Sequence, residues 1–246
     1  QDLVLAAEPS FKSIVTSVLL AEGDWFEDEM EFWRSWIKPG MTVIDVGANV
    51  GVYTFSAAKR VGKEGLVLAV EPFSKCVSYL EETCSINQLD WVRICAGAAS
   101  DRNGTVKLGL SSASEVNEVI DSEVVLDDAG NHIFTRDFEI ANCFTLDSLV
   151  ERERVSSLDF LKIDAEGHEI QVLTGCDRIL REFLSLILYE NISSSPLSPP
   201  QMNNIPVANF LRGRGYKLFR YQPYAQRFFP LHTEQDFLDV LNVIAI

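Results

Sequence analysis

No Cys-x-x-Cys pair occurs in this chain, although it holds five cysteines: Cys76, Cys84, Cys95, Cys143 and Cys176. Scattered and set mostly among apolar neighbours, they read as buried thiols of a reduced compartment, with neither zinc spacing nor a disulfide framework. No uninterrupted apolar run approaches the roughly 18 residues of a spanning helix. Basic clusters are also missing. Lysine and arginine number 21 against 36 acidic residues, a formal net charge of −15. That balance argues against a phosphate-backbone partner and against an anionic membrane surface. The expectation is therefore no nucleic acid, no membrane and a cytoplasmic location. Internal repeats and coiled-coil periods are absent too. The chain begins at Gln1, as a piece excised from a longer protein would, and a removed targeting segment is left open.

What is present is a strand, glycine turn, helix and second strand between Thr42 and Glu71. Val43-Ile44-Asp45-Val46 shows no polar alternation until Asp45, as a parallel strand buried on both faces would. Gly47 ends it, and Gly51 opens a helix whose apolar face is Val52, Phe55 and Ala58. A dinucleotide fingerprint needs a middle glycine to admit a pyrophosphate onto the helix N-terminus. Here Ala48-Asn49-Val50 fill that interval. Asp45 would repel a pyrophosphate but suits a ligand with an ammonium and no phosphate. Glu71 closes the second strand, where an acidic side chain accepts from both ribose hydroxyls. A nucleoside with a cationic, non-phosphate tail is S-adenosylmethionine. A nicotinamide cofactor is disfavoured by the same residues.

Four segments taken together, V43-I-D-V-G-A-N-V-G51, A69-V-E-P72, T145-L-D-S-L149 and L161-K-I-D-A-E-G-H-E169, resemble the FkbM family of class I S-adenosylmethionine-dependent methyltransferases. The likeness runs from about Gly40 to Glu190 and resumes weakly at Gly215-Tyr216 and L241-N-V-I-A245. It implies an α/β, doubly wound, mostly parallel seven-stranded Rossmann-like sheet with an antiparallel last strand. It further implies that Asp45 and the Gly47 to Gly51 loop, Asn49 included, hold the methionine end of the cofactor. Glu71 would hold the ribose, Phe73 would line the adenine side, and Ala98 and the residues after it would meet the base. Asp147 would structure the substrate side. The implied activity is O-methylation of a hydroxyl on a sugar or secondary metabolite. N-methylation of a small amine and a non-catalytic cofactor-binding module are the alternatives.

Residues 1–40 read as an N-terminal helical cap segment. Phe26, Met30, Trp33 and Ile37 recur at helical spacing before Pro39-Gly40. The segment is expected to pack on the sheet edge, and the resemblance adds a role as roof. Residues 41–246 read as the methyltransferase domain. Further strands are expected at 91–95, 158–163 and 184–189. The last two are expected at 216–219 and 237–243, as a hairpin through 223–233. Asn103-Gly104 marks a tight hairpin. An insertion at 111–131 carries six acids and no lysine or arginine, which suits a solvated face or a substrate lid.

Open parallel sheets present ligand groups at the carboxyl ends of their strands. Asp45, Glu71, Asp164 and Glu190 each end one, so they are expected to converge on one mouth. The resemblance implies that Asp164 lies nearest the methyl group, with Glu166 or His168 as the base. An imidazole with a pKa near 6.5 matches neutral pH better than a carboxylate near 4. Lys162 is expected to pair with a nearby carboxylate, and Glu169 to support the turn. Some O-methyltransferases of the resembled fold hold a divalent cation at places comparable to Asp164, Glu190 and Asn191, a hard oxygen set suited to magnesium. A small-molecule substrate is expected, and homo-oligomerisation is left open.

Overall fold

Val43, Ile44, Val67, Leu68, Leu161 and Ile163 have no exposed surface, and the strands they belong to form the middle of the main sheet. The structure, a computed structural model, describes residues 3–111, 114–120, 124–126, 132–135, 137–191, 205–238 and 240–246. Much of the acidic insertion and the Pro/Ser-rich stretch 192–204 lie outside these. Helices α1 (Ile14–Glu22) and α2 (Glu29–Trp36) precede β1 (Thr42–Val46), α3 (Val52–Val61), β2 (Leu66–Glu71), α4 (Ser74–Asn87) and β3 (Val92–Ala96). Then come β4 (Ala98–Ala99), β5 (Gly104–Gly109), β6 (Glu118–Ile120), β7 (Val124–Leu126), β8 (His132–Thr135), β9 (Phe138–Phe144) and α5 (Leu146–Arg152). The remainder is β10 (Phe160–Ile163), α6 (Glu169–Thr174), α7 (Asp177–Glu182), β11 (Leu186–Glu190), α8 (Ile205–Arg212), β12 (Leu218–Gln222), β13 (Arg227–Pro230) and β14 (Asn242–Ala245).

The expected seven-stranded, mostly parallel Rossmann-like sheet is corrected here. The main sheet has eight strands in the order β13-β12-β14-β11-β10-β1-β2-β3. It is parallel from β3 to β11 and antiparallel at β11–β14, β14–β12 and β12–β13. The physical reason is the short 3-10 turn Pro223–Ala225, with Gln226 at φ 48°, between β12 and β13. A connection that short can join only antiparallel neighbours. Pro230 fits because β13 is an edge strand. Aromatic packing anchors this extra strand: the Phe228 ring stands edge-on to Phe32 of α2 at 5.2 Å, beside Tyr221. The strand expected at 237–243 is instead a 3-10 turn at Glu234–Phe237 followed by β14.

A second sheet, β4-β9-β5-β6, packs beside the first, and β7 pairs with β8. Asn103-Gly104 does turn the chain, yet β4 and β5 are not neighbours: both pair with β9, from opposite sides. Each face of the main sheet is covered. Ile44, Val46, Leu68, Val70 and Leu161 join the apolar faces of α5 to α8. Val43, Val67, Ala69, Phe160 and Leu188 join those of α2 and α3. At roughly 1.5–3 kcal/mol per fully buried large side chain, these two layers dominate the folding energy. The second layer is not wholly apolar. Asp45 alternates with Val43 and pairs in register with Lys162 on β10, which places two charges side by side. No helix among the described residues is long and apolar enough to cross a membrane.

Candidate active site

The carboxyl ends of β1, β2, β10 and β11 open into a cavity of about 290 Å³. Asp45, Gly47, Asn49, Glu71, Ala98, Asp164, Glu166, His168 and Glu190 all line it. Three expected residues stand elsewhere. Gly51 opens α3 at φ 96°, and a Cβ there would lie 2.3 Å from the Phe55 ring, so it serves helix packing. The Phe73 ring packs with Val15, Val50 and Cys76, and only its backbone N–H turns to Glu71. Asn191 is fully buried and donates its amide to the carbonyls of Phe237 and Val240, at 3.1 and 2.9 Å, tying β11 to the turn before β14.

Asp45 is completely buried. Its Oδ2 accepts from Thr54 Oγ1 at 2.6 Å, while Oδ1 has no partner among the described residues. Burial raises its pKa against the opposing pull of Lys162 and Thr54. Lys162 donates to Asp164 Oδ2 at 2.9 Å and stands 4.5 Å above the Tyr53 ring. Burial works against that ammonium, but Asp164 and Asp45 outweigh it and keep it charged. Glu71 accepts from the backbone N–H groups of Asn49 and Phe73, each at 2.8 Å. Burial nevertheless pushes its pKa up to about 7. Asn49 holds φ 50° in the glycine turn, which an asparagine tolerates by accepting the next N–H on its own Oδ1.

A second turn follows β10. Glu166 at φ 50° and Gly167 at φ 89° bend the chain, and Glu169 Oε1 accepts from the N–H groups of Ala165 and Gly167. That geometry sets one oxygen each of Asp164, Glu166 and Glu190 within 4.8 Å of one another. Burial first, then Asp164 and Glu166, raise the Glu190 pKa well above its ordinary value. Its Oε2 is buried without a partner among the described residues. This trio of hard oxygen donors suits a divalent cation such as magnesium, with Glu166 standing where the sequence reading had Asn191.

His168 Nε2 meets Ser100 Oγ at 3.0 Å, and Ser100 Oγ meets Asp101 Oδ1 at 3.2 Å. The Asp101 carboxylate can only accept, so the serine proton points to it. With the serine proton directed at Asp101, the Ser100 oxygen accepts from Nε2–H of His168. Ser100 falls in the stretch after Ala98 that was expected to meet the base, but its bond to His168 was not anticipated. The roof was only partly foreseen: Ile14, Val15, Trp25, Phe26 and Glu27 come from the N-terminal segment, and Ser114, Glu115 and Asn117 from the start of the acidic insertion. Asp147 lies outside the cavity and caps α7, accepting from the N–H groups of Arg178 and Ile179.

Acid-ended strands and the glycine turn between them meet at one roofed cavity, on the fold of an S-adenosylmethionine-dependent methyltransferase. Residues 45–218 match the Methyltransferase FkbM domain, and the chain belongs to that family. It is similar in structure to methyltransferase FkbM from Methylobacillus flagellatus KT, at a TM-score of 0.53 and 14% identity, over 89% of this chain and 50% of that one. A putative rRNA-methylase from Clostridium thermocellum aligns at a TM-score of 0.50 and 11% identity, over 88% and 90%. In sequence, 48 residues are 42% identical to ribosomal RNA large subunit methyltransferase E of Buchnera aphidicola subsp. Baizongia pistaciae. That stretch is 19% of this chain and 23% of the relative. The chain thus spans about a quarter of that relative and half of the FkbM structure. These likenesses correct the expectation of no nucleic acid, because proteins named for ribosomal RNA share this stretch and this fold. A net charge of −15 is a whole-molecule sum and does not decide what one patch meets.

Proposed function

We propose that this chain transfers a methyl group from S-adenosylmethionine to a hydroxyl of a small molecule, a sugar or secondary metabolite. The observation that supports it most is the meeting, in one cavity, of Asp45 and Glu71 with Asp164, Glu166 and His168. The residues fit the cofactor: the free, buried Oδ1 of Asp45 suits an ammonium, and Glu71 suits a ribose diol. When bound, S-adenosylmethionine supplies an electrophilic methyl carbon on a sulfonium leaving group. Asp45 and Gly47 take the methionine end, Glu71 the ribose with Asn49 bonded beside it, and Ala98 the base. His168 takes the acceptor proton as the oxygen attacks, with the ring held by Ser100, and Asp164 orients the acceptor. Asp164, Glu166 and Glu190 would hold a magnesium ion, which would supply charge stabilisation at the acceptor oxygen.

Incubation with methyl-labelled cofactor and separate panels of polyols, phenolic metabolites, amines and RNA tests the reading. Label on a small-molecule hydroxyl supports it, and label confined to amines or RNA overturns it. The cation set makes its own prediction. Magnesium titrated into the whole chain should release heat with a millimolar or tighter midpoint, and Glu190→Gln should abolish that heat. Equal heats from both proteins would remove the cation.

Glu71 gives a pH prediction. Its carboxyl titrates near pH 7 when the cavity is empty, and the ribose hydroxyls donate best to the ionised form. S-adenosylhomocysteine should therefore bind about tenfold more weakly at pH 6 than at pH 8, following the ionised fraction. Glu71→Gln should bind weakly at both, with the pH dependence gone. A wild-type affinity that is flat across this range would refute the role of Glu71. The raised pKa also means that the folded state holds a proton which the unfolded chain releases above about pH 4.5. The contribution of Glu71 to stability without cofactor accordingly falls as pH rises from about 4.5 to 7 and is level above.

A further inference from the structure

Glu115, in the roof, carries an oxygen that the strand-end reading does not use. It stands in the 3-10 turn Ser114–Val116, between β5 and β6. Its Oε1 accepts from Ser13 Oγ at 2.6 Å and from the Val15 N–H at 3.0 Å, which fixes the N-terminal turn of α1. Ser13 in turn accepts from the Thr16 N–H, so the helix start and the insertion are joined through one carboxylate. The other oxygen, Oε2, is buried and has no hydrogen-bond partner among the described residues. Glu115 also lines the cavity. A buried carboxylate oxygen lacking a donor is disfavoured unless something that enters the cavity brings one.

Two neighbours say which end of the cavity this is. Ser114 Oγ lies 3.5 Å from Asn49 Nδ2, and Asn49 gives its backbone N–H to Glu71. The Cys76 thiol is pushed up to about 12, by burial first and then by Glu71, with Glu115 adding to it. Glu115 therefore sits on the Glu71 side. On the reading given above, that side takes the nucleoside. A nucleoside offers hydroxyl and amine donors, which a carboxylate oxygen can accept, and on the same reading the ammonium of the methionine end is already met by Asp45.

We propose that Glu115 is a further cofactor-binding residue, its Oε2 accepting a hydrogen bond from the nucleoside half of S-adenosylmethionine while its Oε1 holds α1 over that half. The proposal rests on the assignment of this cavity to the cofactor. Glu115→Gln separates the two jobs: an amide oxygen still serves Ser13 and Val15, and the second oxygen becomes a donor. The whole chain is titrated calorimetrically with S-adenosylhomocysteine and with methylthioadenosine, which lacks the amino-acid half. Wild type, Glu115→Gln and Glu71→Gln are compared, and thermal melts check that each is folded. Glu115→Gln should weaken both ligands by about tenfold or more, as loss of a hydrogen bond to a charged group does, with a near wild-type melting point. Wild-type affinity of Glu115→Gln for methylthioadenosine, alongside weakened binding by Glu71→Gln, overturns the proposal and leaves the cavity assignment standing. If Glu71→Gln also binds both ligands normally, the cavity assignment fails and the proposal with it.

Discussion

Gly47→Ala should melt on the order of 10 °C below the wild type and lose cofactor binding. Gly47 holds φ 75°, and a Cβ on it would stand 1.7 Å from the carbonyl oxygen of Asp164 and 2.9 Å from its carbonyl carbon. Those atoms cannot swing aside, because the Asp164 N–H is bonded to Val46 O at 3.1 Å. On the other side, the N–H groups of Gly47 and Ala48 both converge on Val70 O, at 3.0 and 3.1 Å. The turn is thus pinned between the ends of β2 and β10 at the floor of the cavity. A left-handed residue with a Cβ costs roughly 1–2 kcal/mol. Overpacking adds about 1–3 kcal/mol, and for a domain of this size each kcal/mol moves the midpoint by about 2–4 °C. Gly167→Ala is the control. It has φ 89° but nothing within 4 Å of the added carbon, so it should lose only the conformational part, a few degrees. Thermal unfolding of the two variants side by side measures the difference. Equal shifts would mean that the close approach to Asp164 does not matter.

The contrast between Gly47 and Gly51 shows where sequence reading reached and where it stopped. Both glycines were read as ligand-facing, since a missing Cβ is compatible with close approach to anything. The structure gives each a protein neighbour, the Asp164 backbone for Gly47 and the Phe55 ring for Gly51, and of the two only Gly47 also lines the cavity. Which neighbour comes close is a tertiary fact with no local signal. The strand-end acids were legible because strand direction follows from a buried, β-branched run, and the acid that ends the run has one way to point. Asp45, Glu71, Asp164 and Glu190 all meet at the cavity for that reason. Asn191, one residue further, turns to the opposite side, as successive residues of an extended chain do. The eighth strand stayed hidden because Arg227 and Pro230 read as loop. Its stability comes from Phe228 against Phe32 and Tyr221, partners far apart in the chain. The stretches holding Ser100 and Glu115 were read as site elements, but their partners His168 and Ser13 were not, because each lies far off in the chain.

Lys162→Met should destabilise the protein by about 3–5 kcal/mol, the usual cost of removing one member of a buried ionic cluster. Lys162 is the cation between Asp45, its register partner on β1, and Asp164, which it bonds at 2.9 Å. Asp45 has no exposed surface and already has a raised pKa with Lys162 in place. Without the ammonium it should take up a proton instead of remaining charged. A carboxyl whose folded pKa is raised stabilises the fold most at low pH, and that contribution is lost as pH climbs through the folded value. The deficit of Lys162→Met against wild type should accordingly shrink from pH 8 towards pH 5 in denaturant melts. A deficit independent of pH would show that lost packing, not the stranded carboxylate, sets the cost. Binding separates the same two causes. A neutral Asp45 has no charge to offer an ammonium, so affinity for S-adenosylhomocysteine should fall at least tenfold, while methylthioadenosine, which has no ammonium, should bind nearly as before. Adding Asp45→Asn to Lys162→Met removes the stranded charge and should recover much of the stability. It should recover none of the selective binding, because the double variant still lacks the negative oxygen that Lys162 keeps ionised.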